Sequence, residues 1–155
     1  MFLKDQIKKR IKNEKGLILI ELLAVIVILA IIAAIAIPAI GNIIDNSRYK
    51  AVKSDALNVL NAAQIYYSEN PTDTTGALVT STTPGDLKTN GFLEDFGKIP
   101  DDATIAKDSD GNELTTVVID YGGKNKIKFT DAKIADINSH SDKTETTIGT
   151  QPTTP

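Results

Sequence analysis

The chain has 155 residues and a formal net charge of −3 at pH 7, which suits one small domain with appendages. It contains no cysteine, and this excludes disulfide bonds and thiolate metal sites. Residues 1–16 carry six basic and two acidic side chains, whereas residues 17–155 carry 11 basic and 18 acidic ones. This asymmetry is not typical of a nucleic-acid-binding protein, and it indicates that the two ends of the chain face different compartments.

Residues 17–40 are almost wholly apolar and rich in Ile, Leu, Val and Ala. A run of about 20 such residues suffices to cross a bilayer as a helix. The basic residues before it predict a cytoplasmic N-terminus, with the acidic body on the other side of the membrane. One carboxylate, Glu21, interrupts the run. An ionised group at the bilayer centre costs on the order of 3 kcal/mol, so Glu21 is a candidate functional residue.

Residues 41–69 are predicted to form an amphipathic helix that continues the apolar one. Apolar residues recur there at helical spacing, and the stripe consists of Val52, Ala56, Val59, Leu60, Ala63 and Tyr67. Asn70-Pro71 is expected to end this helix, because a residue before proline resists helical geometry. We expect Tyr49, Tyr66 and Tyr67 to pack the helix against the rest of the protein or against neighbouring subunits.

Pro38 and Gly41 predict a kink between the two helical segments. Proline lacks the N–H group that a helix interior requires and crowds a preceding carbonyl, and glycine weakens the helix further. The sequence leaves two interpretations open: a plain kink at the membrane exit, or a segment that melts or extends under load.

Residues 70–138 are predicted to form a small globular head. Apolar and β-branched runs predict strands at 104–107, 114–121 and 125–130, with a turn at 122–123 and a further short strand or turn at 134–137. Such a sheet gains a core by packing on the helix stripe. We therefore expect an α+β fold with a long N-terminal helix on a small antiparallel sheet. Residues 139–155, rich in Thr and Pro, are predicted to be a flexible tail.

The first forty residues carry a recognisable pattern. The sequence KGLILIELLAVIVILAIIAAIAIP resembles the N-terminus of type IV prepilins and of the related pseudopilins of type II secretion. In that family a basic leader ends in Gly, a hydrophobic residue follows, often Phe, and the fifth residue after the cut is Glu. Here these positions are Gly16, Leu17 and Glu21, and Pro38 matches a common proline position. Leu17 departs from the usual Phe, and the likeness covers residues 15–67.

The resemblance implies a pilin fold and a sequence of processing and assembly steps. Prepilin peptidase would remove residues 1–16 by cutting after Gly16 and would methylate the new amine of Leu17. Residues 17–40 would then form the filament core. The implied partners are further copies of the chain in a helical filament, the peptidase, an assembly platform protein and its ATPase. The resemblance implies a single-pass protein of the cytoplasmic membrane before assembly and a cell-surface pilus after it.

Cleavage suggests a partner for the lone carboxylate. It would leave an ammonium group at Leu17, and we expect Glu21 of one subunit to neutralise that amine on a neighbour. The simpler alternative places Glu21 at the membrane surface as a flanking residue. In either case the chain is a substrate rather than an enzyme, and neither a cofactor nor direct nucleic-acid binding is expected.

Three other functions compete with that of a main pilus subunit. A pseudopilin of a secretion system or of a DNA-uptake (competence) system would share the same N-terminus. A signal-anchored surface protein that never polymerises would keep residue 1. An ordinary secretory signal, cut at Ala34-Ile35-Ala36, would have an apolar core longer than the usual length of about 7–15 residues.

Two further features of the sequence contain residue types that bind metal ions. Asp108, Asp110 and Glu113 are oxygen ligands that suit calcium, but their spacing does not match an EF-hand loop, and a tight turn is the favoured interpretation. His140 is the sole histidine and falls in the predicted tail, where we assign it no metal or catalytic role.

Overall fold

The computed structural model describes residues 2–73, 77–78, 86–122, 125–141 and 146–149. Its elements, in chain order, are α1 (Phe2–Glu69), β1 (Ala77–Leu78), β2 (Thr104–Ala106), β3 (Glu113–Thr115), β4 (Ile119–Gly122), β5 (Asn125–Thr130), α2 (Ile134–Ser139) and β6 (Thr147–Gly149). A long N-terminal helix followed by small sheets confirms the α+β class. The chain divides into a first unit, Met1–Ile44, and a second unit, Asp45–Pro155.

Helix α1 ends at Glu69, as the sequence predicted. The backbone N–H of Asn70 donates to the Tyr66 carbonyl oxygen at 2.9 Å, and the Asn70 side-chain amide donates to the same oxygen at 3.0 Å. Pro71 follows and cannot continue the helix. At the other predicted irregularity, α1 runs without a break across Pro38 and Gly41, so a functional kink there stays a prediction.

The first unit exposes its apolar surface. The large aliphatic side chains of α1 are exposed there, from Ile18 at 66% through Val25 at 48% to Ile44 at 43%. Within the described part of the chain, α1 is the one helix that is long and apolar enough to cross a membrane.

The second unit contains the hydrophobic core. The predicted stripe of α1 is buried throughout: Val52, Ala56, Val59, Leu60, Ala63 and Tyr67 are each at most 4% exposed. These side chains form one cluster with residues from the strands and from α2, among them Ile105, Phe129 and Ile137. Burying a large aliphatic side chain is worth about 1.5–3 kcal/mol, so this stripe holds the helix on the sheet.

The predicted strand 114–121 is two strands in the structure. β3 pairs antiparallel with β2, and β4 pairs antiparallel with β5. The isolated bridge between Leu114 and Ala132 has the same register as the pairing of Ile119 with Ile127. Both β3 and β4 therefore run beside the segment 127–132. Between them, the Thr116 backbone N–H still donates to the Phe129 carbonyl oxygen at 3.0 Å, but the Phe129 N–H donates to the Thr116 hydroxyl oxygen at 3.2 Å instead of to a backbone carbonyl. The alternation of apolar and polar residues in the sequence does not reveal this side-chain bond.

Two predictions for the C-terminal region were wrong. Residues 134–139 form helix α2 rather than a strand or turn, and the helix starts where the Lys133 N–H donates to the Asp136 carboxylate at 3.0 Å. Part of the predicted tail, 139–155, is ordered: β6 pairs parallel with β5, and Ile148 is 1% exposed. Two parallel strands need a crossover, and α2 lies in it. The β4-β5-β6 sheet is therefore mixed, whereas the β1-β2-β3 sheet is purely antiparallel as predicted.

Gly149 in β6 provides a test of this docked strand. Its φ is +107°, and a Cβ added there would lie 2.0 Å from the Thr130 carbonyl oxygen. Gly111 has a similar φ of +116° with no atom within 4 Å of such a Cβ. Gly111→Ala is therefore expected to show only the backbone penalty, about 1–2 kcal/mol. Gly149→Ala should lower the free energy of unfolding by about 1–3 kcal/mol more than that.

This pair of variants is best compared by denaturant unfolding of the full chain in detergent. Near-ultraviolet circular dichroism will report on the second unit, because all four tyrosines are buried there. Equal losses in the two variants would mean that β6 is not held against β5.

Candidate functional site

Glu21 is the only ionisable residue between Leu17 and Asp45. Its side chain is exposed on α1 among the exposed aliphatic side chains of the first unit, and it makes no ion pair or hydrogen bond with another described residue. Gly16 and Leu17 lie in the same helix, and Leu17 stands four positions before Glu21. Residues four apart share one helix face, about 6 Å apart along the axis.

This arrangement is suited to association rather than catalysis. Apolar surface that no residue of the same unit covers requires lipid or another chain around it. A carboxylate on such a surface requires a cation or a strong hydrogen-bond donor once water is removed. Over residues 18–44, the first unit therefore presents an apolar surface with one charged side chain, Glu21.

The three candidate calcium ligands lie around a lysine. The Lys133 ammonium is 2.7 Å from the Asp108 carboxylate and 3.6 Å from each of the Asp110 and Glu113 carboxylates. The hydrogen bond from Lys133 lowers the pKa of Asp108 and, reciprocally, raises the pKa of Lys133. Among the described residues, no group of three or more His, Cys, Asp or Glu is arranged to hold a metal ion. Lys133 thus supplies a positive charge among these carboxylates, and calcium binding stays an untested alternative to the favoured turn.

The cluster of Lys133 with Asp108, Asp110 and Glu113 predicts that the free energy of unfolding depends on pH at both the acid and the alkaline end of the range. Stability from a carboxyl with a lowered pKa is lost as pH falls below its ordinary value of 3.8. Stability from an amine with a raised pKa is complete below its ordinary value of 10.5 and is lost as pH rises further. The difference in unfolding free energy between the native chain and Lys133→Gln should therefore be constant between these limits and should shrink on both sides.

Denaturant unfolding across the pH range checks this expectation. Lys126→Gln removes an exposed lysine that makes no ion pair with a described residue. Its difference in unfolding free energy from the native chain should therefore not shrink at either end of the pH range. A Lys133→Gln difference that stays constant far below pH 3.8 would contradict the assignment.

Sequence reasoning missed the contacts of His140. The structure places this residue against α1, where its Nδ1 is hydrogen-bonded to the Tyr49 hydroxyl at 2.5 Å. The Lys53 ammonium donates to the His140 carbonyl oxygen at 2.6 Å, and burial lowers the pKa of Lys53. No local pattern marks these contacts, because the partners are 87 and 91 positions apart. They hold the chain after α2 on the second unit.

The tyrosines of α1 pack the helix on the rest of the second unit, as predicted. The Tyr67 hydroxyl donates to the Ile105 carbonyl oxygen at 2.7 Å inside the core. The Tyr66 hydroxyl donates to the Asp73 carboxylate, and this bond raises the pKa of Tyr66 to about 12. Both bonds fasten α1 to segments that follow it, so these hydroxyls have structural roles.

Comparison of the chain with models of known protein families, with curated proteins and with solved structures found no match.

Proposed function

We propose that this chain is a structural subunit of a type IV pilus-like filament. It is inserted in the cytoplasmic membrane, cut after Gly16 by a prepilin peptidase and methylated at Leu17. A platform protein and an ATPase then assemble it into a surface filament through packing of the N-terminal helices. In the filament, Glu21 of one subunit pairs with the amine of Leu17 on a neighbour.

The observation that carries this proposal is the placement of Glu21. The residue is the fifth after Gly16, and it stands alone on a helix segment whose large aliphatic side chains are all exposed. A membrane anchor needs only the apolar surface and gains nothing from a carboxylate inside it. A filament core needs both features, since the apolar surface holds the subunits together and the charge selects how they align.

The ion pair acts mainly through register. Desolvation offsets much of the attraction between two buried charges, so the pair itself adds little stability. A misaligned subunit, however, leaves one charge buried without a partner, which costs about 3–5 kcal/mol. Only the register that joins Glu21 to an amine avoids this penalty.

Mass spectrometry of the native N-terminus tests the proposal directly. The mature chain should begin at Leu17 and carry one additional methyl group on its amine. A native chain that retains residues 1–16, or that begins after Ala36, would rule the proposal out. Cleaved chains that stay monomeric in the membrane would favour a simple anchor instead.

A further inference from the structure

The second unit contains a pocket of about 350 Å³ beside the first turns of α1 in that unit. Its lining consists of Arg48, Ala51, Val52, Lys98, Asp120, Tyr121 and Gly122. Two positive side chains therefore face one cavity, from α1 and from the segment before β2. The pocket is open, so a ligand group would enter from the surface.

Neither cation of the pocket has a carboxylate of a described residue within ion-pair distance. Arg48 and Lys98 are both exposed, and neither makes an ion pair with a described residue. The single acid of the lining, Asp120, accepts the Gly122 N–H at 2.9 Å. The lining thus holds two positive side chains and one negative one, and it offers an anion the donors of a guanidinium and an ammonium. Two further carboxylates lie beside it: Asp55 accepts the Lys98 backbone N–H at 2.9 Å, and Asp45 is close enough to Tyr121 to add to the effect of burial in raising the pKa of that phenol.

The guanidinium of Arg48 lies against the β4 side of the hairpin formed by β4 and β5. A Cβ added at Gly122 would lie 2.3 Å from Nη1 of Arg48, so the guanidinium occupies the space that the missing side chain leaves. Gly122 also has a φ of +126°, which favours glycine for a second reason. A guanidinium suits an oxyanion, because its planar donors match phosphate oxygens in pairs.

The charge pattern of the chain points to the source of that oxyanion. Arg48 stands four positions after Ile44, the last residue of the first unit. Residues 45–53 contain three basic and one acidic side chain, whereas residues 54–155 contain eight basic and 16 acidic ones. The basic groups of this acidic unit are therefore concentrated where the chain leaves its apolar segment. Basic groups next to a membrane segment attract anionic lipids.

We propose that the Arg48–Lys98 pocket binds the phosphate of an anionic lipid headgroup while the subunit is inserted in the membrane and not yet assembled. This rests on the proposed function only in that it requires the membrane-inserted state. The bound headgroup counters the repulsion between the acidic second unit and an anionic membrane surface, and it is released when the subunit enters a filament.

Native mass spectrometry of the full chain in a phosphate-free detergent tests the proposal. The probes are phosphatidylglycerol, phosphatidylcholine, a phosphate-free glycolipid and inorganic phosphate. Phosphatidylglycerol should bind tightest, and Arg48→Gln or Lys98→Gln should each weaken its binding about fivefold. Lys50→Gln and Lys126→Gln are the matched controls, because both lysines are exposed and neither lines the pocket. Each control should change the affinity by less than about twofold.

Equal weakening in all four variants would overturn the proposal in favour of diffuse charge attraction, and no change in any variant would also overturn it. Equal binding of inorganic phosphate would show a free-anion site instead of a lipid site. Flotation with vesicles separates this from the proposed function. If the chain floats but Arg48→Gln has no effect on lipid binding, only the proposal for the pocket is overturned. If the chain does not float, the membrane-inserted state that the proposed function requires is overturned.

Discussion

Glu21→Ala is expected to abolish filaments while leaving cleavage after Gly16 and membrane insertion intact. In the proposed filament, removal of the carboxylate would leave the amine of a neighbouring Leu17 without a partner in an apolar core. An unpaired buried charge costs about 3–5 kcal/mol, which corresponds to roughly a 150- to 4,000-fold weaker association for each added subunit. The yield of sheared surface filaments measures the effect, and mass spectrometry of the membrane fraction confirms that the chain is still cut.

Two further variants separate the charge from the helix surface. Glu21→Gln keeps the size of the side chain and should be nearly as defective as Glu21→Ala, because a neutral amide cannot neutralise an amine. Leu22→Ala removes an adjacent exposed aliphatic side chain and should reduce the yield only modestly. Filaments at normal yield from Glu21→Gln would show that the carboxylate has another purpose.

Leu60→Ala is expected to lower the free energy of unfolding of the second unit by about 2–5 kcal/mol. Leu60 is 1% exposed and belongs to the cluster that joins α1 to the strands. Truncation removes its apolar contacts and leaves a cavity that the surrounding side chains fill incompletely. Denaturant unfolding of the full chain, followed by the tyrosine signals, gives the change directly.

Ile65 provides the matched control for this core substitution. It lies five positions later on the same helix but is 53% exposed. Ile65→Ala should therefore change the unfolding free energy by less than about 0.5 kcal/mol, as expected for a surface position. A similar loss in both variants would mean that the stripe does not face the core.

Local pattern was sufficient for the buried face of α1 and for its C-terminal end, although α1 begins at Phe2 rather than at Leu17. Apolar residues at helical spacing predicted which side chains the second unit buries, and Asn70-Pro71 predicted where the helix ends. Both signals lie within a few residues of the feature that they predict, so no knowledge of the fold was needed. The strands at 104–106 and 125–130 were found for the same reason, since short runs of β-branched residues lie between turn residues.

The C-terminal region shows where local pattern fails. A lone Ile148 among threonines has no periodicity, yet it is buried because β5 offers it an edge and α2 returns the chain to that edge. The predicted 114–121 strand divides at Thr116, whose hydroxyl oxygen accepts the Phe129 N–H. Each outcome depends on a partner that is distant in sequence.

The candidate sites also divide into those that consecutive residues define and those that distant segments form together. The amino-acid sequence alone determined the apolar segment, the lone Glu21 and the spacing from Gly16, because all three are properties of consecutive residues. Only the tertiary structure decided that Lys133 lies among the carboxylates of Asp108, Asp110 and Glu113, and that Arg48 and Lys98 face one pocket. The physical reason is that hydropathy and helix spacing act between neighbours in the chain, whereas charge pairing and cavity shape depend on which distant segments the hydrophobic core brings together.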